Sequence, residues 1–566
     1  MDLFYKAQKI IKERSDDHFT KKAALKITEV FKDVKKYVLE AGFSPSGKIH
    51  LGNFGDILIT EAVRKILNEW GYSAESIVAI DSRDPFRKPP IFLPKEFKEN
   101  IDKYRGRPLE TLPDPWGCHK NYVQHFVEPA ISSLKEYGLY PKIIFANEIH
   151  QNPKYIELLR NVILNRDKVR QIFNIIHERS GHAKRYPQEW IPYRPQCARC
   201  GRIDENVKPL EIVEDGYIIR YKCSACGYEG EADIRKAEGK PPWRIDWPLR
   251  WVLFNVNFEP MGKDLMAAGS SYDTGKELLK KFFSKEPPIA IFYDFFYWVE
   301  PDGTLKKFSK RAGIGLGPDE WLKYAPPEVL NYLLLKRHIG DIESDSLRHF
   351  DFNVYDIPIY VKRYDVDEQE IFHVLKGGKI TSEFKKSLIA YFLANARPED
   401  IFSRKIRRVP YDLAIKVALW METTDEGISL LKKIGALPKD ASEEEINDAK
   451  VRLNYALNFI RDYWRPPKVD INSIIKMLSR NDILAAKEAL EKMLIFSPEK
   501  IRQEEIREII REVSNKYNTK PRRIYRAIYL FALGEETGPQ VYRLFRKEFS
   551  RKNMLRAIEE LKKVGV

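Results

Sequence analysis

At 566 residues and 66.4 kDa the chain is too long for one hydrophobic core, and usual domain sizes predict roughly three to five folding units. Apolar residues at 43%, aromatics at 12% and charged residues at 32% exclude long disordered tracts and fibrous repeats, and no run of about 18 apolar residues suggests a membrane span. The net charge of +15 is uneven: residues 371–566 carry 39 Lys+Arg against 27 Asp+Glu. An excess of that kind draws phosphate backbones by counterion release, with an ordinary solvated surface as the plain alternative.

The first residues lack the apolar core and small-residue cleavage site of a secretory signal, so a cytoplasmic protein is expected. Residues 37–41 read as a strand, 42–47 as a turn, and 53–70 as a helix stopped by Gly71. Strands follow at 76–80 and 143–145, which opens a parallel sheet whose ligands bind beyond the C-terminal strand ends. Prolines between 85 and 118 suggest an excursion from the sheet, 155–180 is helical, and 190–235 is built of short strands. Strand-like chain returns near 289–298. From about residue 320 the pattern is helical, with amphipathic runs at 384–396, 411–421, 444–464, 483–493, 501–514, 521–533 and 551–563.

Several segments carry chemistry. Residues 45–53, including His50, Gly52 and Asn53, join the first strand to its helix, where free amides and the helix dipole favour phosphate. Alone, they also fit a structural turn. Lys307, Ser309 and Lys310 sit in a polar loop whose lysines can reach a leaving pyrophosphate, although an exposed basic loop is the commoner meaning of such a run. Cys197-x2-Cys200 and Cys223-x2-Cys226 supply four thiolates in two knuckles, the soft tetrahedral set that zinc prefers, and five cysteines are too few for a disulfide scaffold. Asp114, Cys118, His119 and His125 place four further donors within twelve residues, the last on a helix expected to begin near 119, and ordinary helix residues are the alternative. Residues 243–251 gather three indoles, two arginines and Asp246; they are expected to wall a pocket in which Asp246 and Trp247 hold a cationic side chain, with a structural core as the alternative. Gly269 to Lys276 is not a Walker loop, because five residues separate the glycines and Glu277 stands where Ser or Thr should bind magnesium.

The segments around His50 and Lys307 together resemble the two signatures of class I aminoacyl-tRNA synthetases. The blocks GFSPSGKIHLGN, LPDPWGCHKNYVQHF, WRIDWPLRW and GKDLMAAGSSYDTGKE look like the class I lysyl-tRNA synthetase family of archaea and some bacteria. The resemblance implies an α/β protein: a Rossmann-like parallel-sheet catalytic domain over 1–312 with a zinc-bearing insertion at about 85–240, a connecting stem-contact region at 313–380, and an all-α anticodon-binding region at 381–566. It implies ATP-dependent ligation of L-lysine to tRNA(Lys) through a lysyl-adenylate, with ATP and Mg2+ as substrate complex. One or two structural zinc ions are implied, the second at the Asp114 block, and a monomer is expected. His50, Gly52, Asn53, Lys307, Ser309 and Lys310 would meet ATP. Gly42, Ser44, Gly262 and Asp264 would meet the amino acid or adenylate, and Arg522, Arg523 and Arg526 the tRNA. The chain departs from the family at Leu265, where His is usual, and at Phe308, where Met is usual. A glutamyl-type synthetase and a non-catalytic tRNA-binding paralogue are the rival readings.

Overall fold

The computed structural model describes residues 3–181, 185–337, 340–341, 349–403, 407–466, 469–563 and 565. It divides into two compact units, Met1–Pro410 and Tyr411–Val566.

The first unit is built on a six-stranded sheet. Its strands are β1 (Tyr37–Phe43), β2 (Ala74–Ile80), β3 (Lys142–Phe145), β4 (Val256–Gly262), β5 (Ile289–Tyr293) and β6 (Gly340–Asp341), in the spatial order β3-β2-β1-β4-β5-β6. All neighbours are parallel except β6, which runs antiparallel to β5. This is the doubly wound order, and its reversal between β1 and β4 opens a crevice at the strand C-termini. Both β1 and β4 are buried along nearly their whole length, as parallel strands covered on two faces must be, yet each carries a glutamate, Glu40 and Glu259. Helix α1 (Leu51–Glu69) follows β1 and buries Phe54, Ile57, Leu58, Val63, Ile66 and Leu67. Gly71, at φ +86°, ends it in the left-handed region that its sequence predicts.

The expected single insertion is two excursions, because β3 returns to the sheet between them. The first holds helix α2 (Tyr122–Ser133) and the Asp114 block. The second holds helices Pro153–Leu164 and Arg166–Arg179, a three-stranded antiparallel sheet (Val207–Val213, Ile218–Cys223, Glu229–Asp233) and helix α3 (Trp243–Phe254). A further small sheet pairs Phe296–Val299 with Leu305–Lys307 and Phe350–Phe352; its last strand interrupts the helical stretch expected from residue 320. Helix Ser382–Ala394, expected in the C-terminal region, belongs to the first unit, where the Asn331 amide donates to Ala394 O at 2.9 Å. The second unit is helical, and the six amphipathic runs read there are all helices, among them Glu443–Asp462 and Pro521–Leu533. Among the described residues no helix is long and apolar enough to cross a membrane.

Candidate active site

β1 ends at Phe43 and the chain turns into α1 with His50 as its N-cap. His50 Nδ1 accepts the Gly52 amide at 3.2 Å, Leu316 O takes the Leu51 amide at 2.9 Å, and His50 O takes those of Asn53 and Phe54. The first-turn amides expected to be free for phosphate are therefore occupied, and the dipole and side chains remain. Because Nδ1 is an acceptor, the imidazole proton sits on Nε2. Burial first, then the nearby Lys310, holds its pKa down at about 3, so this ring is a neutral donor. A Cβ on Gly52 would stand 3.0 Å from the His50 ring, which leaves only glycine room beside it. Asn53 Oδ1 is buried without a hydrogen-bond partner.

The second basic loop closes on the first. Ser309 and Ile314 exchange backbone hydrogen bonds at 2.9 and 3.1 Å, and Lys310 Nζ donates to Ser44 O at 2.7 Å. A Cβ on Gly47 would lie 2.6 Å from Lys310 O, so the two loops touch through backbone. Phe308, buried, packs on His50 at 5.5 Å and on Phe296 at 6.0 Å and is an apolar anchor for the loop. Lys307 is exposed and lies over the Phe295 ring.

Carboxylates surround this point. Asp56, one turn into α1, is buried, accepts the Tyr293 hydroxyl, and keeps Oδ1 without a partner. Burial raises its pKa to about 8 despite Tyr293 and Lys310, and Asp264 adds to the rise. Burial also lowers that of Lys310 to about 8, against the pull of Asp56, Asp81 and Asp84. Ser44 donates to Asp84, which pairs with Lys240 at 2.8 Å. A Cβ on Gly42 would meet Ala79 O at 3.3 Å, and one on Gly262 would meet Asp264 Oδ1 at 2.7 Å. Lys263 pairs with Asp294 at 2.6 Å.

The expected aromatic wall is more interior than its sequence suggests. Asp246 is 1% exposed and committed to His150 at 3.0 Å, to the Tyr155 hydroxyl and to Lys240 at 3.6 Å, which leaves no face for a substrate ammonium. Trp247 and Trp251 both donate to Glu259, at 2.9 and 2.6 Å. Burial, then the neighbouring Glu40, raises Glu259 well above the ordinary carboxylate range. Arg250 is fully interior, 3.0 Å from Asp81 and 3.5 Å from Glu40. Leu265, where the resemblance leads one to expect His, joins the apolar cluster of Trp247, Trp251 and Tyr272. Sequence reasoning missed Glu40, Asp56, Asp81, Glu259 and Tyr293. Their only signal was charge or hydroxyl inside strongly apolar runs.

The cysteine knuckles repeat one geometry. Cys197 N donates to Arg202 O and Cys223 N to Tyr228 O, each at 2.8 Å, while Gly201 and Gly227 return hydrogen bonds to the first cysteine's carbonyl from φ of +75° and +73°. The repeated Cys-x2-Cys-Gly was a readable signal for this turn. Sulfur pairs stand at 3.6 and 3.7 Å, against about 3.8 Å for the edge of a zinc–thiolate tetrahedron with bonds of about 2.3 Å. The donor set fits zinc. Asp114, Cys118, His119 and His125 also bring one ligand atom each within 4.8 Å of the others, with His125 Nδ1 3.0 Å from Asp114. Helix α2 starts at Tyr122, later than expected, because Asn121 caps it by accepting the Gln124 amide.

Comparison with known proteins places this arrangement. Residues 7–395 match the family described as tRNA synthetases class I (K). The chain belongs to that family. The lysine–tRNA ligase of Pyrococcus horikoshii is 31% identical over 550 residues, 95% of each chain, and that of Methanocaldococcus jannaschii 30% identical over 554 residues, 94% of this chain and 95% of its own. A glutamate tRNA ligase from Elizabethkingia meningosepticum aligns over 93% of this chain and 99% of its own at 13% identity and a TM-score of 0.36, too low to rank one synthetase above another. As a class I (K) synthetase the chain uses ATP, typically with magnesium.

Proposed function

We propose that the protein is a lysine–tRNA ligase whose substrate ε-ammonium is received by Asp56 and Tyr293. The observation that carries this reading is a buried carboxylate with an unpartnered oxygen beside both nucleotide signatures. A cation entering there supplies the missing charge, whereas a substrate carboxylate would face Asp56 and Glu259. The glutamyl-type reading needs an arginine for the substrate, and Arg250 is buried against Asp81 and Glu40.

The lysine carboxylate attacks the α-phosphorus, the bond to the bridging oxygen breaks, and pyrophosphate leaves. The terminal ribose hydroxyl of the tRNA then attacks the lysyl carbonyl and AMP departs. His50 Nε2–H, Lys307 and Lys310 stabilise charge on the phosphates, and magnesium on the nucleotide neutralises more of it. No protein nucleophile is needed. Gly42 and Ser44 edge the amino-acid site, Gly52 and Asn53 the nucleotide site, and Gly262 and Asp264 face Lys307. Asp246 and Trp247 position α3. Cys197, Cys200, Cys223 and Cys226 hold one zinc and Asp114, Cys118, His119 and His125 a second, both structural. Residues 411–566 contribute anticodon binding, residues 313–410 stem contact, and the chain acts as a cytoplasmic monomer on tRNA(Lys).

The test is exchange of pyrophosphate into ATP with each of the twenty amino acids, with and without tRNA. Lysine-dependent exchange is expected. Glutamate-dependent exchange would favour the glutamyl-type reading, and none under either condition a non-catalytic paralogue.

A further inference from the structure

Beyond β2, residues 85–94 form an irregular strap in which Pro89 and Pro90 precede, and Pro94 follows, the pair Ile91 and Phe92. Prolines fix φ on both sides of that pair, so the chain presents it with little conformational freedom left to lose. What it meets is the basic loop. Ile91 N–H donates to Arg311 O at 3.0 Å, and Gly313, at φ +63°, passes where a Cβ would stand 3.0 Å from the Phe92 ring. The strap thus grips the loop just after Lys310 twice, once through backbone and once through an aromatic ring.

Phe92 is itself backed by rings. It lies 6.4 Å from Trp116 with planes 18° apart and 6.1 Å from Phe126 of α2, and Trp116 stacks on His125 at 4.3 Å and 16°. Phe92 and Trp116 remain 36% and 45% exposed, so the row adds little buried area, and its outer end is the basic loop. The same helix reaches the other side of the site: the buried Tyr122 hydroxyl donates to Ser46 O at 3.1 Å, in the turn that leads to His50. Lys310, held at Ser44 O, lies between these two grips. We infer that Ile91, Phe92 and Tyr122 are positioning residues for the nucleotide step. They hold the loop of Lys307 and Lys310 closed on the His50 turn before ATP arrives, so that binding does not bear the entropy of ordering it. The inference rests on the proposed role of those lysines toward ATP and adds the part of the chain that presents them.

The test uses the full chain and two readouts. Trypsin cuts after Lys310 and Arg311 when the loop is released, so the rate of cleavage there, located by mass spectrometry, follows the released fraction. The second readout is KM for ATP in pyrophosphate exchange. Phe92→Ala and Tyr122→Phe should each speed the cleavage and raise KM for ATP about 2- to 12-fold, as loss of one aromatic contact or one hydrogen bond would, with KM for lysine nearly unchanged. Phe92→Tyr should keep both readouts near those of the unsubstituted protein. An unchanged cleavage rate in Phe92→Ala and Tyr122→Phe overturns the inference, as does a fall in kcat with KM for ATP unmoved, the mark of residues that only support the fold. If Tyr122→Phe proves unfolded by its circular dichroism, Phe92→Ala and Ile91→Pro, which removes the N–H of an exposed residue, decide the matter by the same criteria. Lys310→Ala with KM for ATP unchanged would instead strike the proposed role of the loop, while the cleavage rate still decides whether the strap and Tyr122 hold it.

Discussion

His50 and Asp56 divide one pocket between opposite electrostatic tasks. With its pKa near 3 and Nδ1 engaged by Gly52, His50 is neutral at every working pH and donates only through Nε2. His50→Ala should lower lysyl-adenylate formation by about 10² to 10⁴ while lysine binding changes little, since a positioned transition-state contact is lost. Exchange within about threefold of the unsubstituted rate would remove the role assigned to this motif. Asp56 behaves differently: with a pKa near 8 it is protonated in the free protein at pH 6 to 7. Lysine binds its carboxylate form, so binding releases a proton and apparent affinity rises with pH until about 8. Calorimetry in buffers of different ionisation enthalpy should show that release, with KM for lysine falling up to about tenfold per pH unit. Asp56→Asn should raise KM for lysine by 10² or more and flatten its pH profile; a profile unchanged in the variant would assign the ammonium to another carboxylate.

At the scale of elements, the loop after Lys307 works because a hydrophobic side chain pins it. Phe308 lies among Phe296, Trp298 and Phe352 with the His50 ring against it, and Gly315, at φ +126°, passes where a Cβ would stand 2.8 Å from the Phe308 ring. Phe308→Met should therefore keep exchange near its original rate. Phe308→Ala empties a buried anchor, a change that costs about 3–5 kcal/mol in ordinary cores, and should raise KM for ATP at least tenfold. Equal activity of the two variants would show that the loop is held elsewhere. The metal clusters make a second element-scale test: with the four-cysteine site and the Asp114 cluster both filled, purified protein should carry close to two equivalents of zinc, and Cys197→Ser with Cys223→Ser should release one and leave the Asp114 cluster filled. Less than half an equivalent after mild purification would count against both sites. The cysteine knuckles were legible in the sequence because four ligands sit in two local spacings. The proposed lysine pocket was not, because Asp56, Glu259 and Tyr293 lie on three separate elements and meet only through the register of β4 with β5 and the packing of α1. Asp246 misled for the converse reason: an acid among tryptophans looks like a pocket wall until His150 and Tyr155, nearly a hundred residues away, share one of its oxygens and Lys240 faces the other.

At the scale of the whole molecule the charge split and the unit boundary do not coincide. Residues 371–566 hold a net +12, yet residues 411–566 hold 30 Lys+Arg against 24 Asp+Glu, only half of that excess. The other half belongs to residues 371–410 of the first unit. A chain ending at Pro410 should therefore keep lysine-dependent exchange and retain weak, salt-sensitive tRNA binding, whereas complete loss of binding would place the whole affinity in the second unit. Within that unit the three expected arginines are unequal. Arg526 is neutralised by Glu536, Arg523 stands 3.8 Å from Asp482, and Arg522 is exposed with no ion pair within 4.0 Å among the described residues. The aromatic rings interleaved with them are core: Phe531 and Phe545 are buried, and Tyr525, Tyr529 and Tyr542 pack against the same cluster. RNA contact on this helix is thus left to its cations. Each phosphate neutralised releases condensed counterion and adds about 0.7–0.9 to the slope of log affinity against log salt. Arg522→Ala should weaken tRNA binding and flatten that slope by nearly one unit, Arg526→Ala should change it least, and ATP affinity should stay constant in both. An unchanged slope in the Arg522→Ala, Arg523→Ala double variant would show that this face of the helix is solvated and that the tRNA lies elsewhere.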